Sequence, residues 1–93
     1  MIYKTAEYKI MPEKMDEALL AIREFVSKVH ENEPETLVYE AYQKDYVSFI
    51  HFMAFKDKEA EERHRSSDYV KDFVVKLYQC CSADPVFTDL SKV

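Results

Sequence analysis

Two of the three histidines in this chain lie where an imidazole could act as an acid or a base. The unperturbed pKa of histidine is about 6.5, so a neutral imidazole can accept a proton from a weakly acidic group near neutral pH. His51 lies among Phe49, Met53 and Phe55, where a buried polar group needs a hydrogen-bonding partner or a polar cavity. His64 lies in a charged segment between two predicted helices. We predict that His51 and His64 are catalytic, and the alternative for each is a structural hydrogen bond.

Aromatic residues are abundant, with seven tyrosines and six phenylalanines in 93 residues. Most tyrosines pack with their polar end in water, but sites for small ligands also combine apolar walls with a few polar groups. We predict that Tyr39 and Tyr69 hydrogen-bond a small ligand, from a strand and from the start of the last main helix. Phe49, Met53 and Phe55 are predicted to form apolar walls, with a plain core role as the alternative.

Several other kinds of site are disfavoured by the sequence. No pair of histidines or cysteines has the spacing typical of a metal site, and zinc needs three or four converging ligands. The chain has no glycine, which excludes the glycine-rich dinucleotide and phosphate loops and the G-x-S-x-G nucleophile elbow. Cys80 and Cys81 are neighbours, so a disulfide between them would be strained, and we predict two reduced thiols. We therefore expect neither a metal nor a cofactor.

The elements that would position these residues follow from local patterns. Residues 2–11 alternate as a strand, and a helix follows from Pro12 to residues 30–32, with apolar residues at helical spacing. Residues 36–44 and 47–55 are predicted to form a hairpin. Asp57 is predicted to cap a short helix, and Ser66 or Ser67 a further one. That helix has an apolar stripe of Val70, Phe73, Val74, Leu77 and Tyr78, and residues 86–93 form a last strand.

The predicted order is β-α-β-β-(α)α-β, in a single domain over residues 1–93. This order is typical of a ferredoxin-like α+β fold, with a four-stranded antiparallel sheet and helices on one face. The strand over residues 47–55 is apolar on both faces, although helices in so small a chain can cover only one. We therefore expect a homodimer in which a second copy covers the other face.

Charge and hydropathy restrict the partners and the location. The chain has 13 basic and 18 acidic residues, a net charge of −5, which argues against nucleic acid or an anionic membrane as a partner. No apolar run approaches the roughly 20 residues of a membrane span. The N-terminal residues lack the basic and apolar blocks of a signal peptide, so a cytoplasmic location is expected.

The segment F-I-H-F-M-A-F-K-D-K-E-A-E-E-R-H-R-S-S-D-Y-V-K-D-F resembles the antibiotic biosynthesis monooxygenase domain family. The element order extends the resemblance over nearly the whole chain, and the sharpest matches are Asp57, Ala60, His64, Ser67 and Phe73. The resemblance implies a dimeric α+β barrel with a pocket between sheet and helices in each subunit. Some members of the family oxidise phenolic or quinol-like compounds with molecular oxygen and without metal or flavin; others degrade haem, and many have no assigned activity.

Two departures from the family pattern bear on the chemistry. Many members carry a glutamate where this chain has Met53. The haem-degrading branch has a characteristic Asn, Trp and haem-ligating His, and this chain has Ser66, His64 and Val74 at those positions. These replacements argue against haem degradation. The resemblance favours a cofactor-independent monooxygenase that oxidises a small electron-rich aromatic, with His64 or His51 as the base. The alternative is a non-catalytic module of the same fold that binds a small ligand or a partner, since fold does not fix function.

Overall fold

The computed structural model describes all 93 residues and contains four strands and three α-helices. The strands are β1 (Ile2–Lys9), β2 (Thr36–Gln43), β3 (Ser48–Phe55) and β4 (Val86–Leu90), and the helices are α1 (Met15–Asn32), α2 (Lys58–Ser66) and α3 (Asp68–Cys80). One 3-10 turn, Pro12–Lys14, leads into α1. The strands pair antiparallel in the order β2-β3-β1-β4, which confirms the predicted ferredoxin-like α+β fold. None of the helices is both long and apolar enough to cross a lipid bilayer.

The helices pack on one face of the sheet and bury a single core. In α1 the buried residues recur every three or four positions, namely Met15, Ala18, Ile22, Phe25 and Val29. Each large apolar side chain buried in this way contributes about 1.5–3 kcal/mol to folding. The ring of Phe25 stacks on that of Phe73 from α3, with centroids 4.0 Å apart, so the two long helices are joined through aromatic packing.

The corner between α2 and α3 fixes the position of His64. The Asp57 carboxylate accepts a hydrogen bond from the Ala60 amide at 2.8 Å, so the predicted cap of α2 is confirmed. Ser67 precedes α3 as predicted, but its hydroxyl donates to the Arg63 carbonyl at 2.8 Å and does not cap α3. The reason is that Ser67 also ends α2, whose last carbonyls lack partners within the helix.

The last strand and the last helix differ in detail from prediction. The final strand ends at Leu90 and not at residue 93, because Leu90 lies opposite Tyr3 and little of β1 remains for pairing. The stripe of α3 is buried at Val70, Phe73 and Leu77, whereas Val74 and Tyr78 are 36% and 42% exposed. Those two side chains border a cavity, described below, and lie outside the packed core.

The opposite face of the sheet carries no helix. Because side chains alternate along a strand, Ile50 and Phe52 point away from the helices while His51 and Met53 point toward them. Ile50 and Phe52 are half-buried, and Tyr42, which pairs with Ile50 in the sheet, is 52% exposed. This outer face therefore presents apolar and aromatic surface at the centre of the sheet.

Candidate functional site

A cavity of about 540 Å³ lies between the sheet and the helices. This volume is in the range of sites that bind small organic molecules. Most of its lining is apolar, and much of it is aromatic: Tyr8, Phe25, Tyr39, Phe55, Phe73, Tyr78 and Phe87. His51 and His64 both line it, at 1% and 6% exposure. The cavity thus places two buried imidazoles against aromatic walls.

His51 is held between two tyrosine hydroxyls. The Tyr8 hydroxyl lies 2.6 Å from Nε2 of His51, and the Tyr39 hydroxyl lies 2.9 Å from Nδ1. The three side chains come from the inner faces of β1, β3 and β2, which are adjacent in the sheet. Both ring nitrogens of His51 are therefore occupied by hydrogen bonds.

The protonation states of Tyr8, His51 and Tyr39 determine which of these groups donates each hydrogen bond. Burial lowers the pKa of His51 to about 4, so the imidazole is neutral near pH 7, with one N–H and one acceptor nitrogen. Burial also raises the pKa of Tyr8 and of Tyr39, so both phenols keep their protons. One tyrosine must donate to His51, and the other must accept from it. The accepting tyrosine keeps its own O–H, which no other group of the chain accepts and which is free to bind a ligand in the cavity.

A second polar network centres on Glu33. Its carboxylate lies 2.8 Å (Oε1) and 3.0 Å (Oε2) from Nδ1 of His64. The Thr36 hydroxyl donates to the same carboxylate at 2.6 Å, and the Tyr69 hydroxyl also donates to it. Burial by itself raises the pKa of Glu33, but the hydrogen bonds from His64, Thr36 and Tyr69 lower it by more, so the net pKa is below the usual value. Glu33 is therefore an ionised carboxylate that accepts a hydrogen bond from Nδ1–H of His64.

The other nitrogen of His64 has no hydrogen bond within the chain. Every fully buried side-chain nitrogen or oxygen in the chain has a hydrogen-bond partner. Nε2 of His64 has no partner in the chain, so it is not fully buried, and His64 lines the cavity. With Nδ1–H directed to Glu33, a neutral His64 presents the lone pair of Nε2 to whatever occupies the cavity. This arrangement is that of a general base oriented by a carboxylate.

The structure brings five of the seven predicted site residues to the cavity: His51, His64, Tyr39, Met53 and Phe55. The predicted wall residue Phe49 is not in the lining. Its ring stacks against Tyr8, with centroids 5.7 Å apart, so it supports the wall from behind. Tyr69 is also absent from the lining, because its hydroxyl is bound to Glu33. The roles assigned to the seven residues remain predictions.

Sequence reasoning missed Tyr8 and Glu33. Tyr8 shares the inner face of β1 with Ala6, which pairs with His51, so correct strand register would have revealed it. Glu33 lies just after α1 in the segment E-N-E-P-E-T, where it is one of three closely spaced glutamates. Nothing in the sequence distinguishes Glu33 from its neighbours, since its partner His64 is 31 residues away.

The other side chains that could be reactive are the two cysteines. Cys80 and Cys81 are both free thiols. Burial raises the pKa of both thiols, that of Cys81 to about 11, so they stay protonated and weakly nucleophilic near neutral pH. No group of three or more His, Cys, Asp and Glu side chains lies close enough together to hold a metal ion.

Comparison with known proteins identifies related sequences and folds. The family model for antibiotic biosynthesis monooxygenase matches residues 1–76. A crystal structure of an antibiotic biosynthesis monooxygenase, 26% identical, is similar with a TM-score of 0.91 over 100% of this chain and 99% of that one. A proposed antibiotic biosynthesis monooxygenase from Caulobacter crescentus CB15 has 24% identity and a TM-score of 0.90 over 99% and 89% of the two chains. A conserved protein from Methanosarcina mazei Go1 has 20% identity and a TM-score of 0.91 over 99% and 92%. No curated protein matches the chain.

Proposed function

We propose that this chain, which belongs to the antibiotic biosynthesis monooxygenase family, is a cofactor-independent monooxygenase for a small, electron-rich aromatic compound of the phenol or quinol type. The family and the similar solved structures support the broader assignment to a monooxygenase or oxidoreductase. One observation carries the finer proposal. His64 is oriented by the Glu33 carboxylate, has a second nitrogen without a hydrogen bond, and lines a cavity with aromatic walls.

The first step is removal of the phenolic proton of the substrate. Nε2 of His64 accepts this proton, and the Glu33 carboxylate, 2.8 Å from Nδ1, stabilises the imidazolium that forms. The positive charge develops beside an ionised group, so little charge separation into the apolar cavity is needed. A positioned base of this kind typically contributes a rate factor of about 10²–10⁴.

We propose that His51 takes the alternative role named for it, a structural hydrogen bond, and that His64 is the base. Since both nitrogens of His51 are engaged, we assign it as the group that orients the two tyrosines. The tyrosine that accepts a hydrogen bond from His51 keeps its own O–H, which donates to the substrate oxygen as negative charge develops there. Such a preorganised donor in a site shielded from water stabilises the anion more than a water molecule would.

The electrons for oxygen activation come from the substrate. The phenolate gives one electron to O₂, and the resulting radical pair joins at a ring carbon to form a hydroperoxide. That intermediate loses water and leaves a carbonyl group. One oxygen atom enters the product and the other leaves as water with two substrate hydrogens, so the reaction needs no external reductant. The apolar walls reduce the contact of the reactive intermediates with bulk water.

The test uses 1-naphthol as a probe, because its conversion to 1,4-naphthoquinone and water consumes one O₂ and balances without a reductant. We expect the protein to consume oxygen with this probe, and His64→Gln to lower kcat by about 10²- to 10⁴-fold. The matched control is His30→Gln, because His30 is exposed and does not line the cavity; its one contact near the site is with the Tyr39 backbone carbonyl, at 2.9 Å, and glutamine keeps a donor for that oxygen. Equal activity of His64→Gln and the control would contradict the role of His64.

The same assay separates the enzyme from the alternative, a ligand-binding module. Binding of 1-naphthol without oxygen consumption would favour the binding module. In that case the two hydrogen-bonded networks would serve affinity and specificity only. Oxygen consumption that depends on His64 has no explanation in a binding module.

We also propose that the functional unit is a homodimer formed through the outer face of the sheet. The support is the apolar surface around Ile50 and Phe52, which no element of the chain packs against. Stable interfaces bury about 800 Å² on each partner, which is within the reach of a four-stranded sheet. The cavity lies on the other side of the sheet, so pairing leaves it accessible.

A further inference from the structure

The charged side chains around the cavity do not balance one another. Four of them line it: Lys4 from β1, Glu61 and Arg65 from α2, and Lys71 from α3. Three are basic and one is acidic, whereas the whole chain has a net charge of −5. The cavity is therefore a positive region in an acidic protein.

One of the three cations is already neutralised. Nζ of Lys4 forms an ion pair with Glu61 and lies 3.4 Å from Asp89. The Lys4 and Glu61 side chains are only 20% and 11% exposed, so the pair is part of the wall of the cavity. Its charges cancel, and the excess positive charge belongs to the other two residues.

Arg65 and Lys71 have no acidic partner. Neither lies within 4.0 Å of a carboxylate, although Arg63, one residue from His64 on the same helix, is paired with Glu35. Arg65 directly follows His64, and Lys71 directly follows Val70, which also lines the cavity. The two cations thus flank the cavity from the two helices that form the corner beside His64.

We propose that the substrate is an acidic aromatic compound whose carboxylate binds Arg65 and Lys71 while its phenolic hydroxyl reaches His64. This inference rests on the proposed function, because it takes the same cavity as the substrate site. A guanidinium and an ammonium group suit a carboxylate, since the first can form two parallel hydrogen bonds and the second acts as a compact charge. Arg65 and Lys71 are both exposed beside the apolar walls, so solvent partly screens them, and their charge serves mainly to attract an anion to the cavity.

Direct binding tests the proposal without any turnover. The probe is 6-hydroxy-2-naphthoate, and its methyl ester is the neutral match of nearly the same shape. We expect isothermal titration calorimetry at low ionic strength to show tighter binding of the carboxylate than of the ester. Raising the salt to about 0.5 M should remove most of this preference, because it shortens the screening length to a few ångströms.

Two double variants assign the effect to the named residues. In Arg65→Gln/Lys71→Gln, the carboxylate should bind about fivefold more weakly and the ester unchanged, as expected for the loss of two partly exposed ion pairs. The control Lys58→Gln/Lys76→Gln removes the same charge from the same two helices at positions that do not line the cavity. It should leave the preference for the carboxylate intact.

A third variant should change the affinity in the opposite direction. Glu61→Gln removes the one negative charge of the lining and keeps a hydrogen-bonding group for Lys4. We expect it to tighten binding of the carboxylate and not of the ester. An affinity gain cannot result from misfolding, so this variant keeps the test decisive if the double variant is unstable.

The proposal is overturned if the wild-type protein binds the ester as tightly as the carboxylate, or fails to bind the carboxylate at millimolar concentration. It is also overturned if the control pair and the Arg65/Lys71 pair lose affinity equally. These outcomes are independent of oxygen consumption. A protein that binds the carboxylate as expected but consumes no oxygen with any phenol would contradict the proposed function alone.

Discussion

His51 and His64 differ in what their ring nitrogens contact. Both nitrogens of His51 are bound to tyrosine hydroxyls, whereas His64 uses one nitrogen for Glu33 and has no hydrogen bond at the other. A group without a free lone pair cannot act directly as a base, so His64 is the stronger candidate. His51 is better suited to hold Tyr8 and Tyr39 in place for hydrogen bonding to the substrate.

The lowered pKa of His51 predicts a loss of stability in acid. An unfolded histidine has a pKa of 6.5 and the folded His51 a value of about 4, so the unfolded state binds the extra proton between these pH values. The stabilising contribution is complete above pH 6.5 and is lost as the pH falls to 4, by on the order of 3 kcal/mol. We expect urea unfolding to show this decline, and His51→Gln to have a much flatter pH dependence across the same interval.

The contribution of Glu33 to the pH dependence of stability must be distinguished from that of His51. Its lowered pKa also stabilises the fold at neutral pH, but that contribution is lost only as the pH falls below its usual value of 4.5. His51→Gln keeps Glu33 and removes only the upper part of the pH dependence. The assignment to His51 would be wrong if the variant and the wild type lost stability in parallel between pH 6.5 and pH 5.

At the scale of elements, the corner between α2 and α3 holds His64 at the cavity. The Asp57 cap fixes the start of α2, two turns before His64. Asp57→Ala should lower the free energy of unfolding by about 1 kcal/mol, because the Ala60 amide loses its partner. Ser67→Ala should cost less than about 0.5 kcal/mol, since Ser67 caps no amide of α3. Denaturant unfolding of both variants measures the difference, and an equal or larger effect of Ser67→Ala would contradict this account of the corner.

The elements themselves were largely predictable, because each follows from a local pattern. Apolar residues at helical spacing predict helix α1, and Asp57 predicts the start of α2. The partner of the Ser67 hydroxyl could not be predicted, because this hydroxyl can bind either the end of α2 or the start of α3, and the sequence does not distinguish the two. The exposure of Val74 was equally hidden, because a helical stripe looks the same whether it faces a filled core or a cavity.

The candidate site was predictable only in part, because its contacts join distant parts of the chain. His51 was singled out as a polar group in an apolar strand, but its partner Tyr8 is 43 residues away and is set by strand register. The charged segment indicates His64, whereas its partner Glu33 is recognisable only from the tertiary structure, in which the end of α1 lies beside α2. Sequence patterns locate the elements, and tertiary packing decides which side chains meet.

For the whole molecule, the two faces of the sheet have separate tasks. The inner face carries the core and the cavity, and the outer face carries apolar side chains that no helix covers. We expect the wild-type protein to have a native mass of twice the 11.1 kDa of one chain. Phe52→Lys should give a monomer, because a charge at the centre of the outer face would be buried without a partner in the dimer.

Native mass spectrometry or light scattering at micromolar concentration measures this change. The matched control is Leu20→Lys, which makes an equivalent substitution at a residue of α1 that is 60% exposed and far from the outer face. We expect the control to remain dimeric. A monomeric wild-type protein, or a dimer unaffected by Phe52→Lys, would show that the outer face is not the interface.

The most direct test of the central claim is the fate of the oxygen atoms. Purified protein in chelator-treated buffer would be incubated with 1-naphthol and ¹⁸O₂, and the products analysed by mass spectrometry. We predict 1,4-naphthoquinone with one ¹⁸O atom, formed in a 1:1 ratio to the oxygen consumed, and with the second ¹⁸O in water. Unlabelled product, formation of hydrogen peroxide in place of water, or no product from either 1-naphthol or 6-hydroxy-2-naphthoate would contradict a cofactor-independent monooxygenase.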